Sequence, residues 1–158
     1  MHQSVQQFVE RMGLMMEADG LPRSAGRIFA FVLLADAPLS LDELAAELQV
    51  SKASVSTNAR LLEHAGMLER ISTPGDRRDF YRMHPDAWER LLRVARKRWE
   101  TMRAALLEGE AALPAEMGTG RARLREAAEF HSLLLGEADS LIEGWRATRR
   151  AGAERKVS

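Results

Sequence analysis

Cysteine is absent from all 158 residues. Without thiols the chain can form no disulfide, no thiolate zinc site and no thiol redox sensor. No apolar run approaches the roughly 20 residues a bilayer-spanning helix needs. Residues 1–4 also lack the basic stretch and long apolar core of a secretory signal, so a cytoplasmic protein without membrane partners is expected. Histidine is sparse: His2, His64, His84 and His131 are scattered, and none has a second His or a Glu three or four residues away. Each therefore reads as a surface or packed imidazole rather than a metal ligand. No nucleophile–base pair, glycine-rich phosphate loop or metal cluster stands out, so neither an enzyme nor a cofactor is expected.

Net charge is missing too, with 23 basic residues balancing 23 acidic ones. Nucleic-acid affinity rests on neutralising phosphates, but the relevant quantity is the charge on the presented face. Residues 39–50 hold three acids (Asp42, Glu43, Glu47) and no base. Residues 51–82 hold six bases (Lys52, Arg60, Arg70, Arg77, Arg78, Arg82) against four acids (Glu63, Glu69, Asp76, Asp79). The sign changes where a DNA-reading element would begin.

What the chain does have is helical periodicity. Val5, Phe8, Val9, Met12, Met15 and Met16 give an amphipathic helix over 4–18, ended by Gly20 and Pro22. Residues 23–35 are apolar on nearly all sides, predicting a buried helix. Ser40 and Glu43 read as a capping box for a short helix striped by Leu41, Leu44, Ala45 and Leu48. Val50-Ser51 makes a turn, and Ser51 can cap a second helix whose buried side is Val55, Ala59 and Leu62, with Leu61 a further candidate. Gly66 suits a left-handed exit. Residues 67–73 and 80–83 then form a hairpin whose tip carries Asp76, Arg77 and Arg78. Pro85 fits the first turn of a long helix over 86–112. Trp88, Leu92, Ala95, Trp99, Met102 and Leu106 recur there at coiled-coil spacing. Pro114, Gly118 and Gly120 break that helix. Leu124, Ala128, His131, Leu135, Ala138, Ile142 and Trp145 repeat the rhythm, and the basic tail from Arg146 is expected to fray.

Short helix, tight turn, second helix and basic-tipped hairpin, in that order, predict a winged helix-turn-helix. The fold class is mainly α, with a small β-hairpin wing and a long-helix dimerisation arm. A helix fits the major groove, and short polar side chains at its N-terminal end can approach bases and phosphates. Here these are Ser51, Lys52, Ser54, Ser56 and Thr57, with Arg60 one turn on. Arg77 and Arg78 suit the narrow, negative minor groove, and Asp76 can hold one of them extended. The expected organisation is a dimerisation helix over 1–20, the winged module over 21–84, a dimerisation region over 85–150 and a disordered tail over 151–158. Two long apolar seams exceed what one small module can cover. Self-pairing would set two recognition helices about 34 Å apart. The expected interface is Phe8, Met12, Met15, Trp99, Leu106, Leu135, Ile142 and Trp145. The alternative is a winged-helix protein-interaction module that does not bind DNA.

The segments 51–56, 61–70 and 75–79 resemble the MarR superfamily of bacterial repressors, and 8–13 with 21–28 resemble its GbsR-like branch. The resemblance covers roughly residues 5–100. It implies a homodimer reading a pseudo-palindrome, with Asp76 and Arg78 matching the family's Asp-x-Arg wing tip. It also implies a small effector held between the arm and the winged module, either apolar or a quaternary ammonium of the choline type. A quaternary ammonium needs an aromatic cage, for which the candidates are Phe29, Phe80, Tyr81, Trp88 and Trp99. Where the family usually has Leu-Thr before the long helix, this chain has His84-Pro85. The absence of cysteine removes thiol-based peroxide sensing.

Overall fold

The computed structural model describes residues 2–72, 75 and 77–154. The chain divides into two compact units, the first ending at Trp88 and the second beginning at Glu89.

In the first unit, α1 (Gln3–Ala18) and α2 (Arg23–Leu33) precede β1 (Leu39–Ser40), α3 (Leu41–Leu48), α4 (Lys52–His64), β2 (Leu68–Ser72) and β3 (Asp79–Met83). Helix α1 ends as its glycine predicts: Gly20 is left-handed at φ 79°, and Leu21 N–H returns to the Met16 carbonyl at 2.9 Å. Helices α1 and α2 cross where glycine meets glycine. A Cβ on Gly26 would stand 2.5 Å from the Met12 carbonyl oxygen and 2.9 Å from Gly13 Cα. The same crossing is clamped by charge: Glu10 takes Arg23 at 2.8 Å and Arg27 at 2.7 Å. Arg27 also donates to the Leu48 carbonyl at 2.8 Å, tying α2 to the end of α3. Ile28, Leu44, Leu48, Val9, Val55 and Leu68 form the centre of the core.

Helix α2 is less enclosed than its composition predicts. Ile28, Phe29 and Val32 are buried, but Leu33 and Leu34, at its C-terminal end, are exposed. The wing is also more than a hairpin. The sheet has three antiparallel strands in the order β1-β3-β2, with Leu39 opposite Tyr81 and Ser40 opposite Phe80. Two residues are too few for the alternation by which strands are recognised, so β1 was not foreseen.

The second unit is an antiparallel pair of helices, α5 (Ala87–Ala112), whose first two residues belong to the first unit, and α6 (Gly118–Glu154). Helix α5 starts two residues past Pro85, after a turn closed by Ala87 N–H on the His84 carbonyl at 2.9 Å. It ends at Ala112, ahead of Pro114, as expected. Gly118 and Gly120, expected with Pro114 to break that helix, lie in the first turn of α6, and Arg146 lies within a helix that runs on to Glu154. The helices are joined by a polar ladder. Glu89 meets Arg146 at 2.7 Å, Arg96 meets Asp139 at 2.6 Å, Arg103 meets Ser132 at 2.7 Å and Glu110 meets Arg125 at 2.9 Å. Each rung is seven residues on in both helices, the repeat expected of two helices packed along a seam. Ala128, Ala138 and Ile142 are buried, and Leu124, His131, Leu135 and Trp145 are half-buried, as their spacing predicts. On α5, however, the seam positions Trp88 and Met102 are exposed.

Candidate nucleic-acid interface

Helices α3 and α4 form the helix-turn-helix, and local chemistry sets both starts. The Ser40 hydroxyl accepts from Glu43 N–H at 3.2 Å, and the Glu43 carboxylate accepts from Ser40 N–H at 2.7 Å. Hydrogen bonds from Ser40 hold the Glu43 carboxyl below its usual range, and the charge of Arg78 acts in the same direction. The turn between the helices passes through Gln49, a non-glycine residue in the left-handed region at φ 53°, followed by Val50 N–H on the Ala45 carbonyl at 3.2 Å. A side chain there costs about 1 kcal/mol or more, and no glycine advertises the bend.

Ser51 caps α4, its hydroxyl accepting from Ser54 N–H at 3.2 Å. Val55, Ala59 and Leu62 are buried as expected, whereas Leu61 is exposed. On the outward side Ser51, Lys52, Thr57 and Arg60 are exposed, and Ser56 is half-buried. No acid lies in the first turn, so free amides and the positive end of the helix dipole face outward with Lys52. The Lys52 ammonium rests 2.8 Å from the Asp42 carboxylate, and both groups are exposed. Such a pair is worth about 0–1 kcal/mol, so a phosphate can replace the carboxylate at little cost.

The structure adds a residue the sequence reading missed. Asn58 is 6% exposed on α4. Its amide donates to the Ser24 hydroxyl of α2 at 2.9 Å and to the Ser54 carbonyl at 2.8 Å, and lies 3.3 Å from the Ser54 hydroxyl. A buried amide with its donors satisfied fixes the rotation of α4 on α2. Ser54, expected at the DNA face, is half-buried and takes part in this network. An Asn among polar neighbours carries no periodic signal that marks it as buried.

At the wing, Asp76 lies outside the described residues. Arg77 is exposed and has no ionic partner among the described residues. The Arg78 guanidinium carbon lies 5.1 Å from the centre of the Phe80 ring. Farther back the hairpin is laced by Arg82 on Glu69 and by Arg70 on Asp79 at 3.4 Å.

The five candidate cage aromatics are not all brought together. Phe29 and Trp88 meet edge to face, with centroids 6.1 Å apart. Phe80 and Tyr81 are adjacent on β3 and point to opposite faces of the sheet. Phe80 is half-buried under Arg78; Tyr81 is buried in the core, and burial, with the nearby Asp79 carboxylate, pushes its phenol up. Trp99 is half-buried on α5, in the second unit. Of the expected interface residues, Phe8 and Met12 pack against the first unit's own core, and Met15 is exposed. Ile142 is buried, while Trp99, Leu106, Leu135 and Trp145 are half-buried. The most exposed apolar residues of α6 are others: Leu133 at 62%, Leu141 at 57% and Phe130 at 56%. Among the described residues no group of three or more His, Cys, Asp or Glu is placed to hold a metal, and no helix is long and apolar enough to cross a membrane.

Comparison with known proteins follows the same division. Residues 19–79 match the MarR family, and residues 86–149 match the MmpR5-like MarR family transcriptional regulator. The second match covers the arm, most of which lies beyond the reach of the sequence resemblance. The HTH-type transcriptional regulator MmpR5 of Mycobacterium tuberculosis is 41% identical over 85 residues, covering 53% of this chain and 52% of that protein. The putative HTH-type transcriptional regulator YvaV of Bacillus subtilis is 27% identical over 97 residues, covering 61% and 55%. The chain thus spans about half the length of these curated relatives. A crystal structure of a transcriptional regulator matches with a TM-score of 0.82 at 30% identity, over 91% of this chain and 99% of that one. The helix-turn-helix, the three-stranded wing and the paired long helices therefore have one common explanation: the chain belongs to the MarR family of winged-helix transcriptional regulators.

Proposed function

We propose that the chain binds double-stranded DNA sequence-specifically as a homodimer, represses transcription, and is tuned by a small effector. The observation that carries DNA binding is the outward N-terminal half of α4, where a capped helix start, Ser51, Lys52, Thr57 and Arg60 stand clear of the core. Arg77 and Arg78, beside the sheet, supply the second element, a probe for the adjacent minor groove. Dimerisation is favoured by Phe130, Leu133 and Leu141, an apolar strip on the side of α6 away from the buried seam. For the effector, the Phe29–Trp88 pair is the one candidate contact assembled within a unit, and it suits an apolar or quaternary-ammonium group. The GbsR-like segments 8–13 and 21–28 are those that build the Gly13–Gly26 crossing and the Glu10 clamp; placement in that branch is part of the proposal.

The test is a gel-shift titration with the promoter of the chain's own operon across a salt series. Binding should fall steeply as salt rises, because phosphate contacts release counterions. Binding that is weak and flat with salt points to the alternative, a winged module that contacts protein instead of DNA.

A further inference from the structure

Phe80 was a candidate for the effector cage, yet it is occupied: the Arg78 guanidinium sits over its ring. We propose that Phe80 is the seat of the wing arginine, a positioning residue that orients Arg78 for acceptors in the DNA minor groove. The inference rests on the DNA-binding reading above and assigns a residue to it.

The geometry argues for a rigid seat. Arg78 stands just ahead of β3, two residues before Phe80, and its guanidinium lies over the face of the Phe80 ring. Strand β3 is the centre of the sheet, with Phe80 opposite Ile71 on β2 and Ser40 on β1. Backbone held from both sides cannot swing as a free hairpin tip does. The carbon-to-centroid distance of 5.1 Å is within the range of cation–π attraction. That attraction engages the guanidinium through the ring's face and not through its N–H groups. The Glu43 carboxyl, which feels the charge of Arg78, adds a pull from the start of α3. An arginine so held loses less side-chain freedom on binding than a solvated one. Arg77, without such a ring, is the internal control.

The experiment is a double-mutant cycle on the full chain. Affinity is measured by anisotropy on a duplex selected from a random pool by the wild-type protein. Arg78→Ala should weaken binding about tenfold or more. Phe80→Leu should weaken it about two- to fivefold, the value of an exposed cation–π contact. In the Arg78→Ala background Phe80→Leu should do nothing further, while in Arg77→Ala it should keep its full effect. Phe80→Tyr should restore affinity, and Phe80→Met serves where the leucine variant melts early. The proposal is overturned if Phe80→Leu binds as well as or better than wild type, or if its loss is the same with and without Arg78. If Arg78→Ala alone leaves affinity unchanged, the wing reading itself fails, and a gel shift that stays salt-dependent keeps DNA binding separate from that failure.

Discussion

Ile28, Leu44, Leu48, Val55 and Leu68 lie within the winged unit almost wholly withdrawn from solvent. In the arm the buried apolar residues among those described are Ala128, Ala138 and Ile142. The winged unit layers four helices and a sheet, so its central apolar side chains meet neighbours from several elements. The arm is two helices side by side, and each can hide only the stripe that faces the other. What remains outward on α6 is large: Phe130, Leu133 and Leu141. Exposed apolar area of that kind is what the proposed dimer contact would cover. Both regions leave apolar side chains outward, Met15, Leu33 and Leu34 among them in the winged unit. But that unit also encloses a full core, whereas the arm buries little and keeps a face to spare.

The sharpest way to break this contrast is on that spare face. Leu133→Glu with Leu141→Glu should leave the polar ladder intact and convert a dimer to monomers in light scattering. Burying two leucines is worth about 3–6 kcal/mol, which would be lost; an unchanged mass would show that the face is not the dimer contact. Next comes a test of how closely the winged unit is packed. Gly26→Ala places a methyl against the backbone of α1, costing about 1–3 kcal/mol and lowering Tm by on the order of ten degrees. A variant that melts with wild type would mean the helices separate freely. The smallest effect belongs to the ladder. Hydrogen bonds from Arg146, then Arg93, hold the Glu89 carboxyl at about 2, against 4.5 for a free glutamate. Because the folded value is depressed, the stabilisation is complete above pH 4.5 and disappears as pH falls towards 2. Glu89→Gln should lower Tm slightly at pH 7, and the gap from wild type should close on acidification. A gap that persists at pH 2 would mean the rung acts through packing rather than charge.

Much of this could be read from sequence because it depends on local chemistry. The Ser40–Glu43 box, the Ser51 cap, the left-handed Gly66 at φ 78° and the inward stripe of α6 follow from the residues themselves. What escaped depends on partners distant in the chain. Gly13 and Gly26 mark a helix crossing only once both helices are placed, and Asn58 is buried because Ser24 waits on α2. Strand β1 exists because β3 has an edge to offer, and Phe80 reads as a free aromatic in sequence although Arg78 lies over its ring. The α6 stripe, expected as core lying partly between subunits, has Ile142 buried and Leu135 and Trp145 half-buried within the single chain.

The seven-residue ladder also acts as a ruler for the arm's length. Its rungs join α5 and α6 running in opposite directions, so the span can change in whole heptads when both helices gain or lose the same block. Removing seven residues from each would delete one rung and keep the rest in register. Removing one or two from one helix would swing the remaining rungs through about 100–200°, away from their partners, and carry the outward leucines towards the seam. Insertions and deletions tolerated in this arm are therefore expected in paired sevens, or in the turn between Ala112 and Gly118, where no rung has to be matched.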